Sequence, residues 1–529
     1  MRKVLSLILA LAMLLGCTAL AENPTLNLAD DRYATSEQVV AVTATADAIN
    51  TVKSGIFGVN QRYPEGAFGI LNEETHTFDE TRLEMIRNSG VTHLRIPGGI
   101  EGDYIHWNES IGPVDERIPQ VYCWDGSSFV LTFGPEEWIE LCKLTGTSLT
   151  VQLNAGNGTP QEAVDFIRYC LDSGVEIESI AVGNEVHMEE ELVEGIHVTK
   201  TPEEYLAFYN EVLVLMGEEL IAELDAKSIP FGCIGLPRSH ALSYHRKWDD
   251  TVLPGVNVPA DFIDIHIAYS PYAVADVITA PREQLHKALL ASHVYVKKLL
   301  DMEVATIEKY SPDTMIKMTE FGPMSVGSSI SNENDAYGSA GCLFLASCLQ
   351  VMIAEPKVIS ADYLPLCYIP QVTNALFGAH DGSQTYWVTS VGHVFKMYSE
   401  QIGREVLSVT IENSRTFKSQ ATGLIPRQLN VPEGEGAVYF DPTTGEGSLI
   451  LINRAYSDNT VFDVTLPYAN AKITKVTELW NENYSVNNTV ADPDVLAPVE
   501  LPFDVQPIDG KITVATKPVS LVKIDFVIE

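Results

Sequence analysis

Short apolar runs alternate with longer segments of helical periodicity between Gly55 and Tyr368. The runs predict eight strands: Gly55–Asn60, His93–Pro97, Ser148–Ala155, Ser179–Glu185, Ile229–Leu236, Phe262–Tyr269, Ile316–Phe321 and Ala361–Tyr368. The periodic segments predict helices over Glu80–Ser89, Pro135–Thr145, Pro160–Ser173, Pro202–Asp225, Gln284–Tyr310 and Ala336–Ala354. This alternation is typical of parallel strands joined by crossover helices, and eight such units predict a (β/α)8 TIM barrel. The active site of such a barrel lies at the C-terminal ends of its strands.

After about Ser390 the pattern changes to β-branched or alternating runs separated by turn residues such as Asp441-Pro442 and Asp509-Gly510. This pattern predicts a C-terminal antiparallel β-sandwich. The strand-like segment Val39–Val52 is expected to join it. The predicted organisation is therefore a signal peptide over 1–21, a sandwich strand within 36–54, the barrel over 55–389 and the sandwich over 390–529.

The N-terminus carries the pattern of an export signal. Arg2 and Lys3 precede an apolar run, Val4–Leu15, that is too short for a stable membrane anchor. The small-x-small site Ala19-Leu20-Ala21 favours cleavage before Glu22. A lipobox-like stretch that ends at Cys17 leaves a lipoprotein as the alternative, so the expected location is secreted or cell-surface.

The chain of 529 residues has a formal net charge of −37. This charge disfavours nucleic acid and anionic membranes as partners, and no other run is long and apolar enough to cross a membrane. Seven cysteines besides Cys17 form no Cys-x-x-Cys pair, which indicates buried free thiols rather than a zinc site or a disulfide framework. Oligomeric state is not predicted.

Two glutamates stand at the C-terminal ends of predicted strands, Glu185 on the fourth and Glu320 on the seventh. Two carboxylates at one barrel rim are what glycoside hydrolysis by double displacement requires. Asn184 precedes the first glutamate, and Arg95 ends the second strand, where it can serve as a donor to the nucleophile. The structural alternatives are a helix-capping role for Glu185, a loop carboxylate for Glu320 and a barrel ion pair for Arg95.

Several stretches together resemble a known family. They are Leu94–Gly99, Gly102–Trp107, Ile111–Arg117, Phe133-Gly134, Glu140–Cys142, Asn154–Ala163 and Gly183–Glu185. The chain resembles glycoside hydrolase clan A, whose (β/α)8 barrels carry catalytic glutamates on strands four and seven. Within the clan it is most similar to the α-L-arabinofuranosidases of family 51.

The resemblance implies a retaining hydrolase acting on plant-type or other oligo- or polysaccharides, without a metal or organic cofactor. It implies Glu185 as acid/base and Glu320 as nucleophile. Substrate-binding roles are implied for six residues: Asn184, Arg95, Trp124, His266, Tyr269 and Gln371. For Trp124 a packed loop tryptophan, and for His266 a neutral core histidine, remain alternatives.

The sequence departs from the family pattern around the sugar. Ile100 stands where the family has a small polar residue, and Ala268 where it has a tyrosine, with Tyr269 one step further. Gln61-Arg62 replaces a sugar-binding glutamate, and Phe321-Gly322 replaces a Trp-Asn pair. These changes leave open a clan member with another sugar specificity, such as an endo-glucanase, xylanase or glycuronidase-like enzyme. They also leave open a non-catalytic carbohydrate-binding protein and, less favoured, a lysine-dependent barrel enzyme that uses Lys317.

Overall fold

The computed structural model describes residues 23–187, 193–236, 247–269, 280–323, 338–368, 375–379, 386–423 and 425–528. At its centre eight parallel strands form a closed barrel, which confirms the predicted fold class. In chain order the first to eighth barrel strands are Gly58–Asn60, His93–Ile96, Ser148–Leu153, Ile177–Val182, Phe231–Ile234, Phe262–Tyr269, Met315–Gly322 and Val358–Tyr363. The predicted signal peptide lies outside the described residues.

Helices cover the outside of the barrel. Their bounds are Pro64–Gly69, Glu80–Ser89, Pro135–Thr145, Pro160–Ser173, Pro202–Ala226, Trp248–Gly255, Arg282–Tyr310, Ser339–Ala354 and Ser390–Ser399. Four begin with proline at the first helical position, where the missing N–H costs no hydrogen bond. Thr159 and Thr201 cap two of them by accepting a hydrogen bond from the backbone N–H three residues later.

Three helices were not predicted from the sequence, and one of them is the short helix Pro64–Gly69 after the first strand. Trp248–Gly255 follows the fifth strand, and Ser390–Ser399 lies in the stretch that the sequence assigned to the sandwich. The helix Ser390–Ser399 belongs to the barrel, because Val391, Val394 and Phe395 are buried in the barrel core. The next strand of the large sheet begins only at Glu405.

Ten further strands form one large sheet. Its members are Thr25–Asn27, Ala34–Thr51, Glu405–Glu412, Gly434–Asp441, Glu446–Asn453, Asp458–Thr465, Ala471–Leu479, Val499–Glu500, Lys511–Thr516 and Ser520–Ile528. Most pairings are antiparallel, but Ala34–Thr51 pairs in parallel with Asp458–Thr465, and so does Thr25–Asn27 with Lys511–Thr516. Buried residues from strands across the whole sheet make one cluster, so the sheet folds over its own core as a sandwich.

Short 3-10 helices and short strands lie in the loops between the longer elements. The 3-10 helices are Ser54–Phe57, Ile100–Asp103, Trp107–Glu109 and Val114–Glu116. Small ladders join Leu71–Asn72 with Thr77–Phe78, Gln120–Val121 with Ser128–Phe129, and Thr416–Phe417 with Val431–Pro432. A further three-stranded sheet contains Cys367–Tyr368, Phe377–Ala379 and Tyr386–Val388.

The helix Ser339–Ala354 precedes the eighth barrel strand and packs between the two domains. It is apolar nearly all round and almost every residue is buried, as expected for a helix enclosed by protein. The barrel core continues past it into sandwich residues such as Tyr439, Ile450 and Leu521. Barrel and sandwich are therefore packed on a shared core.

The seven described cysteines are free and buried, as predicted. In the described part of the chain, no helix combines the length and apolar character needed to span a membrane.

Candidate active site

The two predicted glutamates face one opening at the C-terminal rim of the barrel. One oxygen of Glu185, one of Glu320 and a ring nitrogen of His266 all lie within 4.8 Å of one another. Glu185 is the more open of the two, with its side chain 24% exposed against 9% for Glu320. The carboxylates therefore meet in a half-enclosed pocket.

A glycine turns the chain into the pocket after the fourth strand. Gly183 has a φ of +87°, and a Cβ there would lie 2.8 Å from the Cβ of Ala155. Only glycine meets both demands without strain. Asn184 and Glu185 follow directly and are thereby placed at the rim.

A β-bulge in the seventh strand also directs side chains into the pocket. His266 is two residues beyond Asp264 in the sixth strand, but their partners Lys317 and Glu320 are three residues apart. The same extra residue appears against the eighth strand. Thr319 and Glu320 are consecutive and yet both reach the pocket, which a regular strand with alternating side chains forbids.

Arg95 organises the base of the site. Its side chain is fully buried, and Nη1 donates to Asn60 Oδ1 at 2.8 Å and to Glu320 Oε1 at 3.3 Å. Nη2 donates to Asn184 Oδ1 at 2.7 Å. Since Arg95 directly contacts Glu320 and Asn184, it fixes both and compensates the charge of Glu320.

His266 lies between the two glutamates. Its Nδ1 is 2.8 Å from Glu185 Oε1 and 3.9 Å from Glu320 Oε2. Burial alone would lower the pKa of His266, but Glu320, Glu185 and Asp264 outweigh it and raise the pKa to about 9. The imidazole is therefore a cation at neutral pH rather than a neutral core group.

The other face of His266 is held by a polar chain. Its Nε2 is 3.1 Å from Thr319 Oγ1, and the Thr319 hydroxyl donates to Asp264 Oδ1. Asn60 Nδ2 donates to the carbonyl of Thr319 at 2.6 Å. Both ring nitrogens of His266 are thus hydrogen-bonded, and these contacts fix the orientation of the ring.

Asn184 presents a donor to the pocket. Its backbone N–H donates to Asp103 Oδ2 at 3.1 Å, and burial raises the pKa of Asp103 to about 7. In the described part of the chain, the buried Nδ2 of Asn184 has no hydrogen-bond partner. A buried amide of this kind is expected to find its partner in a bound ligand.

Trp124 stands at the edge of the site. It is 53% exposed, and its Nε1 donates to Glu101 Oε1 at 2.9 Å. The guanidinium carbon of Arg62 lies 5.9 Å from the ring centroid. An exposed indole held in one orientation offers a flat face for a sugar.

Two predicted site residues cannot be placed. The backbone of Tyr269 pairs with Gly322 at the end of the sixth strand, but its side chain lies outside the described part of the structure. Gln371 lies outside the described residues altogether.

Sequence reasoning did not assign a role to Asn60, Asp264 or Thr319. Asp264 carries a usable signal, because it lies two residues before His266 and so shares its face of the strand. Thr319 gives no such signal, since the bulge that brings it beside Glu320 depends on both neighbouring strands.

The cluster of Glu185, His266 and Glu320 has the residue types of a metal site. The surrounding charges disagree with a bound cation. Arg95, a fully buried cation, already contacts Glu320 at 3.3 Å, so a metal ion on this carboxylate would be repelled. These residues fit proton transfer and nucleophilic chemistry better than metal binding.

Lys317 does not belong to this rim. Its side chain is fully buried and paired with Glu178, near the start of the fourth strand, and its Nζ also donates to Ser179. An amine held in this way is not presented to a carbonyl substrate, which weighs against a lysine-dependent barrel reaction.

Residues 85–185 match the family model of the alpha-L-arabinofuranosidase 1 domain. An intracellular exo-alpha-L-arabinofuranosidase of Bacteroides ovatus is 33% identical over 90 residues, which are 17% of this chain and 18% of that protein. The matched stretch thus spans less than a fifth of that relative. The family match contains Arg95, Asn184 and Glu185 and ends before Glu320.

Solved structures extend the likeness to nearly the whole fold. The family 51 arabinofuranosidase of Xanthomonas axonopodis pv. citri has a TM-score of 0.75 at 16% identity, covering 93% of this chain and 100% of that one. A family 51 alpha-L-arabinofuranosidase of Bifidobacterium longum has a TM-score of 0.76 at 20% identity, with the same coverage. The predicted resemblance to family 51 of clan A is confirmed.

Proposed function

We propose that the protein is a retaining glycoside hydrolase of the α-L-arabinofuranosidase type. The observation that carries this proposal is the approach of Glu185 and Glu320 to within 4.8 Å at one barrel rim. Retaining hydrolases hold their carboxyl groups about 5–5.5 Å apart, whereas inverting ones leave about 6.5–9.5 Å for a water. The names of the similar proteins support the sugar class.

In the first step, an oxygen of Glu320 attacks the anomeric carbon and forms a glycosyl ester, while Glu185 gives a proton to the leaving oxygen. The role of Glu320 follows from its buried position against Arg95. The role of Glu185 follows from its greater exposure and its contact with His266. The Nδ2 of Asn184 is placed to donate to the hydroxyl beside the anomeric carbon.

His266 supplies the proton that Glu185 delivers. The pair shares one proton in a 2.8 Å hydrogen bond, and the raised pKa of His266 keeps that proton in the site at neutral pH. In the second step, Glu185 takes a proton from water as the water attacks the glycosyl ester. Glu320 leaves as a carboxylate, and the proton returns to the pair.

The stereochemical course tests this proposal. With 4-nitrophenyl α-L-arabinofuranoside, proton NMR within the first minutes is expected to show the α-anomer of arabinose before mutarotation. Early appearance of the β-anomer would indicate inversion and would refute double displacement. Hydrolysis that is unchanged in Glu320→Ala would refute the assigned nucleophile, and inactivity of wild type on all aryl glycosides would favour a binding protein.

A hydrolase of the same clan with another sugar specificity is the second candidate. The rim around Trp124 favours this candidate. The family has a sugar-binding glutamate after the first strand, whereas this chain has Gln61-Arg62 there, and Arg62 pairs with Glu101. Comparing kcat/KM for aryl arabinofuranosides, xylosides, glucosides and glucuronides decides between the two. A higher value for any pyranoside would select the second candidate.

We also propose that the protein is exported by its N-terminal signal. The support is the basic pair Arg2-Lys3, the apolar run that follows it and the Ala19-Leu20-Ala21 cleavage site. N-terminal sequencing of the mature protein is expected to begin at Glu22. An N-terminus at a lipidated Cys17 would establish the lipoprotein alternative, and an uncleaved Met1 would exclude export by this route.

A further inference from the structure

Glu101 is a third carboxylate at the site, buried to 1% exposure. It lies on the 3-10 helix Ile100–Asp103, which follows the second barrel strand. Its neighbour Ile100 points away from the pocket, because it packs with Tyr104, Cys123 and Val198 in a small apolar cluster. The loop thus directs Ile100 into the apolar cluster and Glu101 towards the pocket.

Glu101 and Glu320 face the same space over Gly99. A Cβ on Gly99 would lie 3.2 Å from Glu101 Oε2 and 3.6 Å from Glu320 Oε1. Gly99 has a φ of +87° and its carbonyl accepts a hydrogen bond from Gln152 Nε2 at 2.9 Å, which holds the glycine in this position. The two carboxylates therefore border the same space above Gly99.

The contacts of Glu101 are directional. Arg62 pairs with its Oε1, and Trp124 Nε1 donates to the same oxygen. The oxygen nearest a Cβ built on Gly99 is the other one, Oε2, and Glu320 Oε1 approaches the same point. Arg62 and Trp124 hold the carboxylate on its outer side and leave its inner oxygen directed towards the pocket.

We propose that Glu101 is a specificity-determining residue that accepts hydrogen bonds from hydroxyls of a neutral sugar bound over Glu320. This inference rests on the proposed function. Arg62 pairs with Glu101 and Arg95 with Glu320, so these cations are already matched by carboxylates and do not attract the carboxylate of an acidic sugar. The residue therefore selects neutral sugars and excludes uronic acids.

Binding measurements test the inference independently of hydrolysis. Calorimetric titration of wild type with L-arabinose, D-xylose, D-galactose and D-glucuronate is expected to show tighter binding of a neutral sugar than of glucuronate. Glu101→Gln is expected to weaken binding of that neutral sugar by about tenfold or more, as for loss of a charged hydrogen bond. The mono-deoxy sugar that lacks the contacted hydroxyl should bind wild type and variant alike.

Glu137→Gln is the matched control, because Glu137 is also buried and paired with an arginine, Arg117, at 2.7 Å. It should bind sugars as wild type does, whatever its effect on Tm. Wild-type affinity in Glu101→Gln, tightest binding of glucuronate, or no binding of any neutral sugar would each overturn the inference. Sugar binding that depends on Glu101 without any hydrolysis would instead refute the proposed function alone.

Discussion

At the scale of single residues, the site is a set of charges arranged around one proton. Arg95 contacts Glu320, whereas His266 contacts Glu185 through Nδ1. The sequence predicts both glutamates, Asn184 and Arg95 as neighbours because each ends a strand of the same barrel. It does not predict Glu101 or Thr319, since their orientation depends on how Ile100 packs and on a bulge.

The charge on His266 makes stability and activity depend on pH. The pKa of His266 is raised from 6.5 to about 9, so folding is favoured by the bound proton. The contribution of this proton to the free energy of unfolding is at most about 3 kcal/mol. It is fully present below about pH 6.5 and is lost as pH rises through about 9. In urea titrations, the free energy of unfolding of wild type should therefore fall as pH rises from 6.5 to about 9. We expect the free energy of unfolding of His266→Gln to fall less over the same range.

His106→Gln is the control for that measurement. The pKa of His106 is also raised, by its hydrogen bond to Glu162, but His106 lies outside the pocket. Its variant should leave the alkaline limb of the kcat/KM profile unchanged, whereas His266→Gln should move that limb to lower pH. An unmoved limb in His266→Gln would contradict the role of His266 as proton donor to Glu185.

At the scale of elements, strands and helices are readable from the chain while their irregularities are not. Pro135, Pro160 and Pro202 mark helix starts, and the structure begins helices at each. The helix Ser390–Ser399 is missed because it follows residues with strand-like composition and its apolar face is short. The bulge in the seventh strand is invisible in the sequence because it exists only against both neighbouring strands.

Gly183 is the position whose replacement tests this geometry. We expect Gly183→Ala to lower the free energy of unfolding by about 2–4 kcal/mol and to reduce kcat/KM, because its Cβ collides with Ala155. Gly174→Ala, at a φ of +71° with nothing within 4 Å, carries the backbone strain without the collision. It should lose about 1 kcal/mol and keep full activity. Equal effects of the two substitutions would contradict the account.

At the scale of the whole molecule, barrel and sandwich share a core. The helix Ser339–Ala354 is buried between them, and Arg454 of the sandwich donates to Ser347 Oγ at 2.6 Å. We expect scanning calorimetry to show one cooperative transition, because separating the domains would expose this apolar helix to water. Two resolved transitions would show that the domains unfold independently.

The central claim is that Glu320 forms a covalent bond to the sugar. An activated 2-deoxy-2-fluoro derivative of the sugar that wild type hydrolyses slows breakdown of the glycosyl-enzyme, so the intermediate accumulates. Mass spectrometry of the digested protein is expected to find the added sugar on Glu320, in wild type and Glu137→Gln but not in Glu320→Gln. A label on Glu185, or steady turnover with no labelled peptide, would contradict the account.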